Sequence, residues 1–212
     1  MPLLVSRSAG PAPATSGREA DLSGYGRTAV AAGGHPGPVL ASASASVGSV
    51  STPLGPVLVV AADDRLAGLY FDSHARTPAL DGLPRRRSAT LDQVGMELAE
   101  YFAGTRISFD VPILLEGTPF QVAVWRALIE IPSGTTSTYG EIARQLGRPQ
   151  GARAVGAANG LNPISIIVPC HRLVGADGSL TGYGWGLDRK RRLLELERQA
   201  REGRVELSRV RA

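Results

Sequence analysis

The sequence is nearly devoid of cysteine, which excludes disulfide-rich folds and multi-cysteine zinc sites. Cys170 is the only cysteine among 212 residues, and one thiol can form neither an internal disulfide nor such a zinc site. The three histidines, His35, His74 and His171, are scattered without the short spacings of metal ligands. We therefore expect a fold stabilised by its own hydrophobic core, with no metal and no cofactor.

Long apolar runs are missing as well. No stretch reaches the roughly 18 apolar residues of a transmembrane helix. The N-terminal segment Met1–Arg7 lacks the charged-then-apolar order of a signal peptide. These absences predict a soluble, cytoplasmic protein that does not bind a membrane.

Lysine is almost absent, because Lys190 is the only one and arginine supplies the remaining basic charge. The formal net charge is +4 and the pI is about 9.7. Arginine is suited to phosphate contacts, although a biased genomic base composition explains its excess equally well. The charge is therefore compatible with a polyanionic partner but does not identify one.

Both ends of the chain are predicted to lie outside the folded part. Residues 1–48 are rich in Ala, Ser, Gly and Pro and show no apolar periodicity. Such a segment cannot bury enough surface to offset the entropy of ordering it, so we predict a disordered tail. Residues 201–212 are predicted to form a short basic tail.

The pattern over residues 49–115 predicts a small α+β domain. Apolar runs at 57–62 and 66–71 flank Asp63-Asp64 and predict a β-hairpin. An amphipathic helix is expected over 90–103 and a further strand over 107–115. No catalytic side chains stand out in this domain.

Residues 116–200 are predicted to form a mostly helical domain with a helix-turn-helix. Thr138 and Glu141 match the capping box that begins a helix, and a second short helix is expected over 152–159. This second helix carries mainly Gly and Ala, with Arg153 as its only long side chain. It either approaches a nucleic-acid groove closely or packs tightly within the core.

Cys170 follows the β-branched run Ile166–Val168, which predicts a short buried strand ended by Pro169. The next two residues, His171 and Arg172, are of types that lower the pKa of a nearby thiol. A reactive thiol and an inert buried cysteine both fit this pattern.

Several short blocks occur in a characteristic order between Gly117 and Glu197. They are Gly117–Gln121, Thr138–Tyr139, Arg153–Gly156, Asn162–Pro163, Val168–Arg172, Gly182–Tyr183 and Leu193–Glu197. Together they resemble the C-terminal domain of the methylated-DNA–protein-cysteine methyltransferases, also called O6-alkylguanine-DNA alkyltransferases. Residues 50–115 resemble the family's ribonuclease-H-like N-terminal domain more loosely.

The resemblance implies DNA repair by stoichiometric alkyl transfer from O6-alkylguanine, with O4-alkylthymine as an open second substrate. The Cys170 thiolate would attack the alkyl carbon and keep the group as a thioether, so each molecule would act once. His171 would deprotonate Cys170 through a water, and Glu197 would orient His171. Asn162 would brace the site, while Tyr139 would contact the target nucleotide and help protonate the leaving guanine or rotate its phosphate.

The implied partner is double-stranded DNA, bound by a monomer through the minor groove with the damaged base flipped out of the duplex. Arg153 would fill the space that this base leaves. The implied DNA contacts are Arg153, Ala152, Gly156, Tyr139 and Arg172. The implied base pocket comprises Tyr183, Gly184, Trp185, Leu173 and Ser165.

Two residues depart from the family pattern. Trp185 replaces an expected glycine, so its indole is predicted at the pocket mouth, where it narrows access or stacks on the flipped base. Leu161 replaces a residue that is often basic in bacterial members, which weakens phosphate contact. A cysteine hydrolase and a non-transferring helix-turn-helix sensor of alkylated DNA remain as alternatives, although such sensors replace the cysteine.

Overall fold

The computed structural model describes the chain from the first strand to the end of the last helix. Described residues are 42, 44–71, 78, 80 and 82–210, with side chains described up to residue 203. Most of the predicted tail over 1–48 lies outside this set. Ser46, Val47 and Gly48 already belong to a strand, so order begins before the predicted boundary.

The N-terminal part of the fold is a three-stranded antiparallel sheet in the order β1-β2-β3, formed by β1 (Ser46–Val50), β2 (Val57–Ala62) and β3 (Arg65–Phe71). Asp63 and Asp64 join β2 to β3 with φ angles of 50° and 57°. Two consecutive positive φ angles are typical of the tight turn whose twist matches a β-hairpin. The predicted hairpin is therefore confirmed.

Helix α1 (Ala89–Phe102) packs against this sheet, close to its predicted bounds. Ser88 caps it by accepting a hydrogen bond from the Leu91 amide. The strand predicted over 107–115 is wrong, because the structure has only one isolated bridge there, between Leu66 and Ile113. Pro112 lacks an N–H group and cannot continue a ladder.

The C-terminal part contains α2 (Pro119–Ile129), β4 (Ser137–Thr138), α3 (Tyr139–Gln145), α4 (Ala152–Gly160), β5 (Leu173–Val174) and α5 (Leu187–Val210). Thr138 and Glu141 form the predicted capping box of α3. Helices α3 and α4 form the helix-turn-helix. Helix α5 continues to Val210 instead of giving way to the tail predicted beyond residue 200. No helix in the described part of the chain has the length and apolar character needed to cross a membrane.

Two backbone connections bring the predicted site together. Strands β4 and β5 pair in parallel, so Tyr139, directly after β4, lies near the segment that follows β5. In addition, Leu69 of β3 donates its amide to the Pro163 carbonyl and accepts from the Ser165 amide, at 2.9 and 3.0 Å. The N-terminal sheet therefore contacts the segment leading to Cys170 directly.

The segment Ile166–Val168 forms tight turns, so the strand predicted there is wrong. The amides of Ile167 and Val168 donate to the carbonyls of Ser165 and Ile164. Ile166 has a φ of 69° although it is β-branched and fully buried. This backbone conformation costs an L-residue about 1–2 kcal/mol, and such strain persists where the surrounding packing enforces it, often at functional sites.

Candidate active site

Cys170 begins a 3₁₀ turn, Cys170–Arg172, directly before β5, and is only 3% exposed. Burial raises the pKa of its thiol to about 11, against opposing effects of the Asn162 amide and the Lys190 charge. The net shift is upward, against expectation, because the side chains of His171 and Arg172 are both directed to Glu197. Of these two residues, only the backbone of His171 acts to lower the pKa of the thiol. At neutral pH the resting thiol is protonated, so it needs a base before it can act as a nucleophile.

His171 is a suitable base because burial keeps its imidazole neutral. Its Nε2 lies 2.8 Å from Oε1 of Glu197. Burial lowers the pKa of His171 more than the neighbouring Glu197 charge raises it. Since Glu197 can only accept, it selects the tautomer with the proton on Nε2. The Nδ1 atom is then a buried acceptor, and no described residue hydrogen bonds to it.

Glu197, on α5, is the centre of a buried hydrogen-bond network. Besides His171, it accepts from Arg172 Nε at 2.9 Å, Arg172 Nη2 at 2.8 Å, Tyr101 Oη at 2.8 Å and the Gly134 amide at 3.1 Å. Burial alone would raise the pKa of Glu197, but His171 and Arg172 hold it well below its usual range. The carboxylate therefore stays ionised and keeps His171 in place.

Arg172 has a different role from the predicted DNA contact. Its side chain is buried between Glu197 and the Ile131 carbonyl, which accepts from Nη1 at 2.5 Å. Only 6% of the residue is exposed. A guanidinium held in this way cannot reach a phosphate without leaving Glu197 uncompensated, so we assign it to orientation of the carboxylate.

Two network members were not identified from the sequence. Tyr101 comes from α1, in the domain where no catalytic side chains were found. Its position on the buried face of the amphipathic helix indicated only core packing. Gly134 contributes only its backbone amide, and a backbone contact cannot be predicted from the residue type.

Asn162 joins the turns that precede Cys170 by hydrogen bonds from both ends of its side-chain amide. Its Nδ2 donates to the Val168 carbonyl at 2.8 Å, and its Oδ1 accepts from the Ile164 amide at 3.0 Å. The same amide group lowers the pKa of Cys170. Asn162 thus holds the strained segment closed and contacts the thiol.

Lys190 is a further site residue that the sequence reasoning missed. Its Nζ donates to the carbonyls of Leu173 and Thr181, and the residue has no exposed surface. Burial lowers its pKa to about 8, while the nearby Cys170 acts in the opposite direction. The one feature of the sequence that could have pointed to this residue is that it is the only lysine in an arginine-rich chain.

Tyr139 lies against the Gly-rich loop 181–186. Its hydroxyl donates to the Thr181 carbonyl at 3.2 Å, and its side chain is half-buried. Gly182 has a φ of 66°, and a Cβ at this residue would collide with the Tyr139 hydroxyl. Gly182 is therefore needed both for its conformation and for the close approach of Tyr139.

The predicted base-pocket residues are only partly brought together. Tyr183 is buried with its ring edge-on to His171, at a centroid distance of 6.5 Å, and Gly184 is half-buried beside it. Leu173 and Ser165 have no exposed surface, so neither offers a surface to a base. Trp185 is 6% exposed and packs on β3, so its predicted place at the pocket mouth is wrong.

Helix α4 presents a nearly bare outer face. Arg153, Ala154 and Ala157 are exposed on it, while Val155 and Ala158 pack inward. The Arg153 side chain makes no hydrogen bond or ion pair to any described residue. The alternative of a helix packed entirely in the core is thereby excluded.

The remaining predicted contacts on α4 lie next to Tyr139. Ala152 and Gly156 are half-buried. A Cβ added at Gly156 would lie 3.7 Å from the Tyr139 ring. This packing puts α4 beside Tyr139. Among the described residues no cluster of three or more His, Cys, Asp or Glu side chains could hold a metal ion.

Two family models match the chain. The model described as 6-O-methylguanine DNA methyltransferase, ribonuclease-like domain, matches residues 47–115. The model described as 6-O-methylguanine DNA methyltransferase, DNA binding domain, matches residues 119–199. The two matches together cover well over half of the chain.

Individual proteins match over the same region. The methylated-DNA–protein-cysteine methyltransferase of Mycolicibacterium paratuberculosis is 48% identical over 154 residues, which are 71% of this chain and 91% of that protein. The one from Methanosarcina acetivorans is 47% identical over 146 residues, 69% of this chain and 94% of that protein.

Two crystal structures are similar in fold. That of Mycobacterium tuberculosis O6-methylguanine methyltransferase has a TM-score of 0.69 at 46% identity, covering 74% of this chain and 94% of that one. That of M. tuberculosis OGT in complex with DNA has a TM-score of 0.67 at 46% identity, covering 72% and 92%.

Proposed function

This chain belongs to the methylated-DNA–protein-cysteine methyltransferase family, and from that premise we propose that it repairs DNA by moving an alkyl group from guanine O6 to Cys170. The observation that carries this assignment is the order of groups behind the thiol. A protonated Cys170 is followed by a neutral His171, whose Nε2–H is held by an ionised Glu197. That order supplies a nucleophile, a base and an orienting group.

The proposed reaction begins with proton transfer from the Cys170 thiol to Nδ1 of His171 through one water molecule. The thiolate attacks the alkyl carbon, an S–C bond forms, and the C–O6 bond breaks with its electron pair passing to the guanine. The leaving guanine takes a proton from the Tyr139 hydroxyl. His171 then gives the proton it received to the Tyr139 oxygen through water, so both groups regain their resting state and the net change moves one proton from thiol to guanine.

The product predicts a single turnover. A thioether carries no leaving group that water displaces under mild conditions. We propose that the protein is consumed as a reagent, one alkyl group per chain. O6-alkylguanine is the proposed substrate, with O4-alkylthymine as the second one to compare.

For DNA binding we propose that α4 enters the minor groove and that Arg153 occupies the space of the flipped base. Its exposed, unpaired side chain on a bare helix face supports this assignment. All proposed catalytic groups come from one chain, which supports action as a monomer, and we propose action in the cytoplasm. The proposed division is a structural domain over 49–115 and a DNA-binding and reaction domain over 116–200.

The test uses duplex DNA carrying O6-methylguanine labelled in the methyl group, with the Cys170→Ser variant as the control. We expect the label to move to the wild-type protein and not to the variant, while both bind the DNA. Release of the label as methanol with repeated turnover would indicate a hydrolase. Binding without loss of label from the DNA would indicate a sensor, and either result would contradict the proposal.

A further inference from the structure

A groove of about 730 Å³ lies between strand β1 and helix α1, in the N-terminal domain. Its volume is within the range of about 300–1,000 Å³ that is typical of ligand sites. Gly48 on β1 and Gly95 on α1 both line it, and neither has a side chain to fill it. None of the lining residues belongs to the catalytic groups or DNA contacts proposed above. A ligand in this groove would therefore touch none of the groups that carry alkyl transfer.

One wall of the groove is the outer edge of β1. Val47 donates its amide to the Pro84 carbonyl at 3.1 Å, so this residue faces away from β2. Outward-facing residues alternate along an antiparallel strand, and the register between β1 and β2 is regular, so Ser49 faces away as well. Within the described part of the chain, no backbone group pairs with the outward side of Ser49. This edge can therefore accept the backbone of an extended peptide.

The opposite wall is apolar and comes from α1. It includes Leu91 and Met96. Met96 is 62% exposed, whereas the other apolar side chains of α1 lie on its buried face. Methionine is flexible and polarizable and is frequent at surfaces that bind peptides. This wall can therefore hold apolar side chains of a ligand.

The rim of the groove is basic, because Arg85, Arg86 and Arg87 follow one another along it and all three are exposed. Arg87 pairs with Asp92 at 2.9 Å. Three arginines and this one aspartate give the described lining residues a net charge of +2. An exposed ion pair contributes little to stability, so a carboxylate of a ligand can replace Asp92. The rim is thus suited to a negatively charged ligand.

We propose that this groove binds an extended acidic peptide of a partner protein, which adds to the edge of β1. The peptide backbone pairs with Ser49, its carboxylates pair with Arg85 and Arg87, and its apolar side chains contact Met96. Charge complementarity selects an acidic ligand, and the strand edge selects an extended chain. Duplex DNA supplies negative charge but neither a strand backbone nor apolar side chains. The inference goes beyond alkyl transfer and does not depend on it.

The test uses the full chain and a fluorescein-labelled hexapeptide of alternating aspartate and valine. In a strand, this alternation places the carboxylates on one side and the valines on the other. Fluorescence anisotropy should show saturable binding of one peptide per chain. A peptide with lysine in place of aspartate should not bind, and an N-methylated peptide, which cannot pair with Ser49, should bind more weakly. No saturable binding, or equal binding of either comparison peptide, would overturn the proposal.

A double variant, Arg85→Ala with Arg87→Ala, tests the basic rim. The loss of two exposed ion pairs should weaken peptide binding by about twofold to thirtyfold. The matched control is Arg191→Ala with Arg192→Ala on α5, outside the groove. Arg191 resembles Arg87, because it is exposed and pairs with an aspartate, Asp188, at 2.8 Å. The control should bind like the wild type, and equal weakening in both variants would indicate non-specific attraction and overturn the proposal.

Hydrogen exchange at the Ser49 amide distinguishes the peptide from other occupants. Exchange should be fast in the chain alone and slow when the peptide is bound. Slow exchange without peptide at every protein concentration would show that another part of this chain fills the groove. Slowing that increases with protein concentration would show a second copy, and displacement of the peptide by duplex DNA would show a phosphate site. Each of these three results would overturn the proposal.

The readouts are independent of the proposed alkyl transfer. Peptide binding is measured without a damaged base, so failure of alkyl transfer leaves it unaffected. The variant with both Arg85→Ala and Arg87→Ala should transfer methyl groups from duplex DNA at the wild-type rate. Slower transfer in this variant would place the two arginines in DNA binding and overturn the proposal.

Discussion

Replacing Glu197 with glutamine tests the relation between the buried carboxylate and the base. The two oxygens of Glu197 accept five hydrogen bonds, two of them from Arg172 and one from His171. Glutamine has nearly the same shape but one acceptor oxygen and no charge. Its NH₂ group must therefore face a donor whichever way the amide is oriented.

Each orientation has a predictable consequence. With NH₂ in place of Oε2, it opposes Arg172 Nε and the Gly134 amide. With NH₂ in place of Oε1, Tyr101 can rotate its hydroxyl so that its oxygen accepts from the NH₂ group. His171 can accept from the NH₂ group at Nε2 only if its own proton moves to Nδ1. That tautomer cannot take the proton of Cys170, so the base is lost.

The expected magnitudes follow from these changes. Leaving Arg172 buried without its counter-charge costs about 3–5 kcal/mol, a large part of a typical stability of about 5–15 kcal/mol. Loss of general-base assistance lowers the transfer rate by about 10²–10⁴-fold. Urea unfolding measures the first effect, and single-turnover methyl transfer below the unfolding temperature measures the second.

The matched control is Tyr101→Phe, which removes one hydrogen bond to the same carboxylate. Its loss costs about 1.5–3 kcal/mol of stability, but the charge of Glu197 and the tautomer of His171 remain. The transfer rate should fall far less than in the glutamine variant. A folded Glu197→Gln protein that transfers methyl within about tenfold of the wild-type rate would refute the assigned role of the carboxylate.

Three further changes give distinct readouts. Burial lowers the pKa of Lys190 to about 8 from 10.5. Between pH 8 and pH 10.5 the unfolded chain binds more protons than the folded protein, so the free energy of unfolding of the wild type should rise with pH. Lys190→Met should lack this rise, and urea unfolding at pH 8 and at pH 10.5 measures it. Gly182→Ala should slow transfer and lower the melting temperature, because its Cβ collides with Tyr139. Gly178→Ala is also at positive φ but has no atom near its Cβ, so it should lower stability without slowing transfer. Equal transfer rates in these two variants would contradict this prediction. Arg153→Ala should slow repair of duplex DNA but leave the reaction with free O6-benzylguanine unchanged, and equal slowing of both reactions would exclude a role in DNA binding.

The local elements were largely predictable from the sequence because their signals are short-range. The hairpin follows from two consecutive aspartates between apolar runs, and α3 follows from Thr138 and Glu141 as a capping box. The order of sequence blocks predicted the nucleophile, the base and the orienting carboxylate. For His171 and Glu197 the structure shows the expected contact at 2.8 Å.

The errors arise where tertiary contacts override a local pattern. The run Ile166–Val168 has strand composition, yet the hydrogen bonds of Asn162 and Leu69 fold it into turns. Arg172 has the residue type of a DNA contact, but Glu197 retains it inside the protein. Neither outcome is visible in the spacing of residues along the chain.

Trp185 shows the same limitation from the opposite direction. The sequence identified it as a departure from the family pattern and suggested the pocket mouth. Its partners Tyr70 and Phe71 lie more than 100 residues earlier in the chain, and both were assigned only to a hairpin strand. A bulky side chain in a Gly-rich loop indicates a contact, but the sequence does not indicate on which side of the loop it lies.

The central claim, that Cys170 is consumed in one transfer, is tested most directly by a titration. A fixed amount of protein is incubated with increasing excess of duplex DNA containing O6-methylguanine, and both repaired DNA and protein mass are measured. The account predicts a plateau at one methyl group removed per chain, with one added methyl located on the Cys170 peptide. Continued repair beyond one equivalent, or a methyl group on another residue, would contradict it.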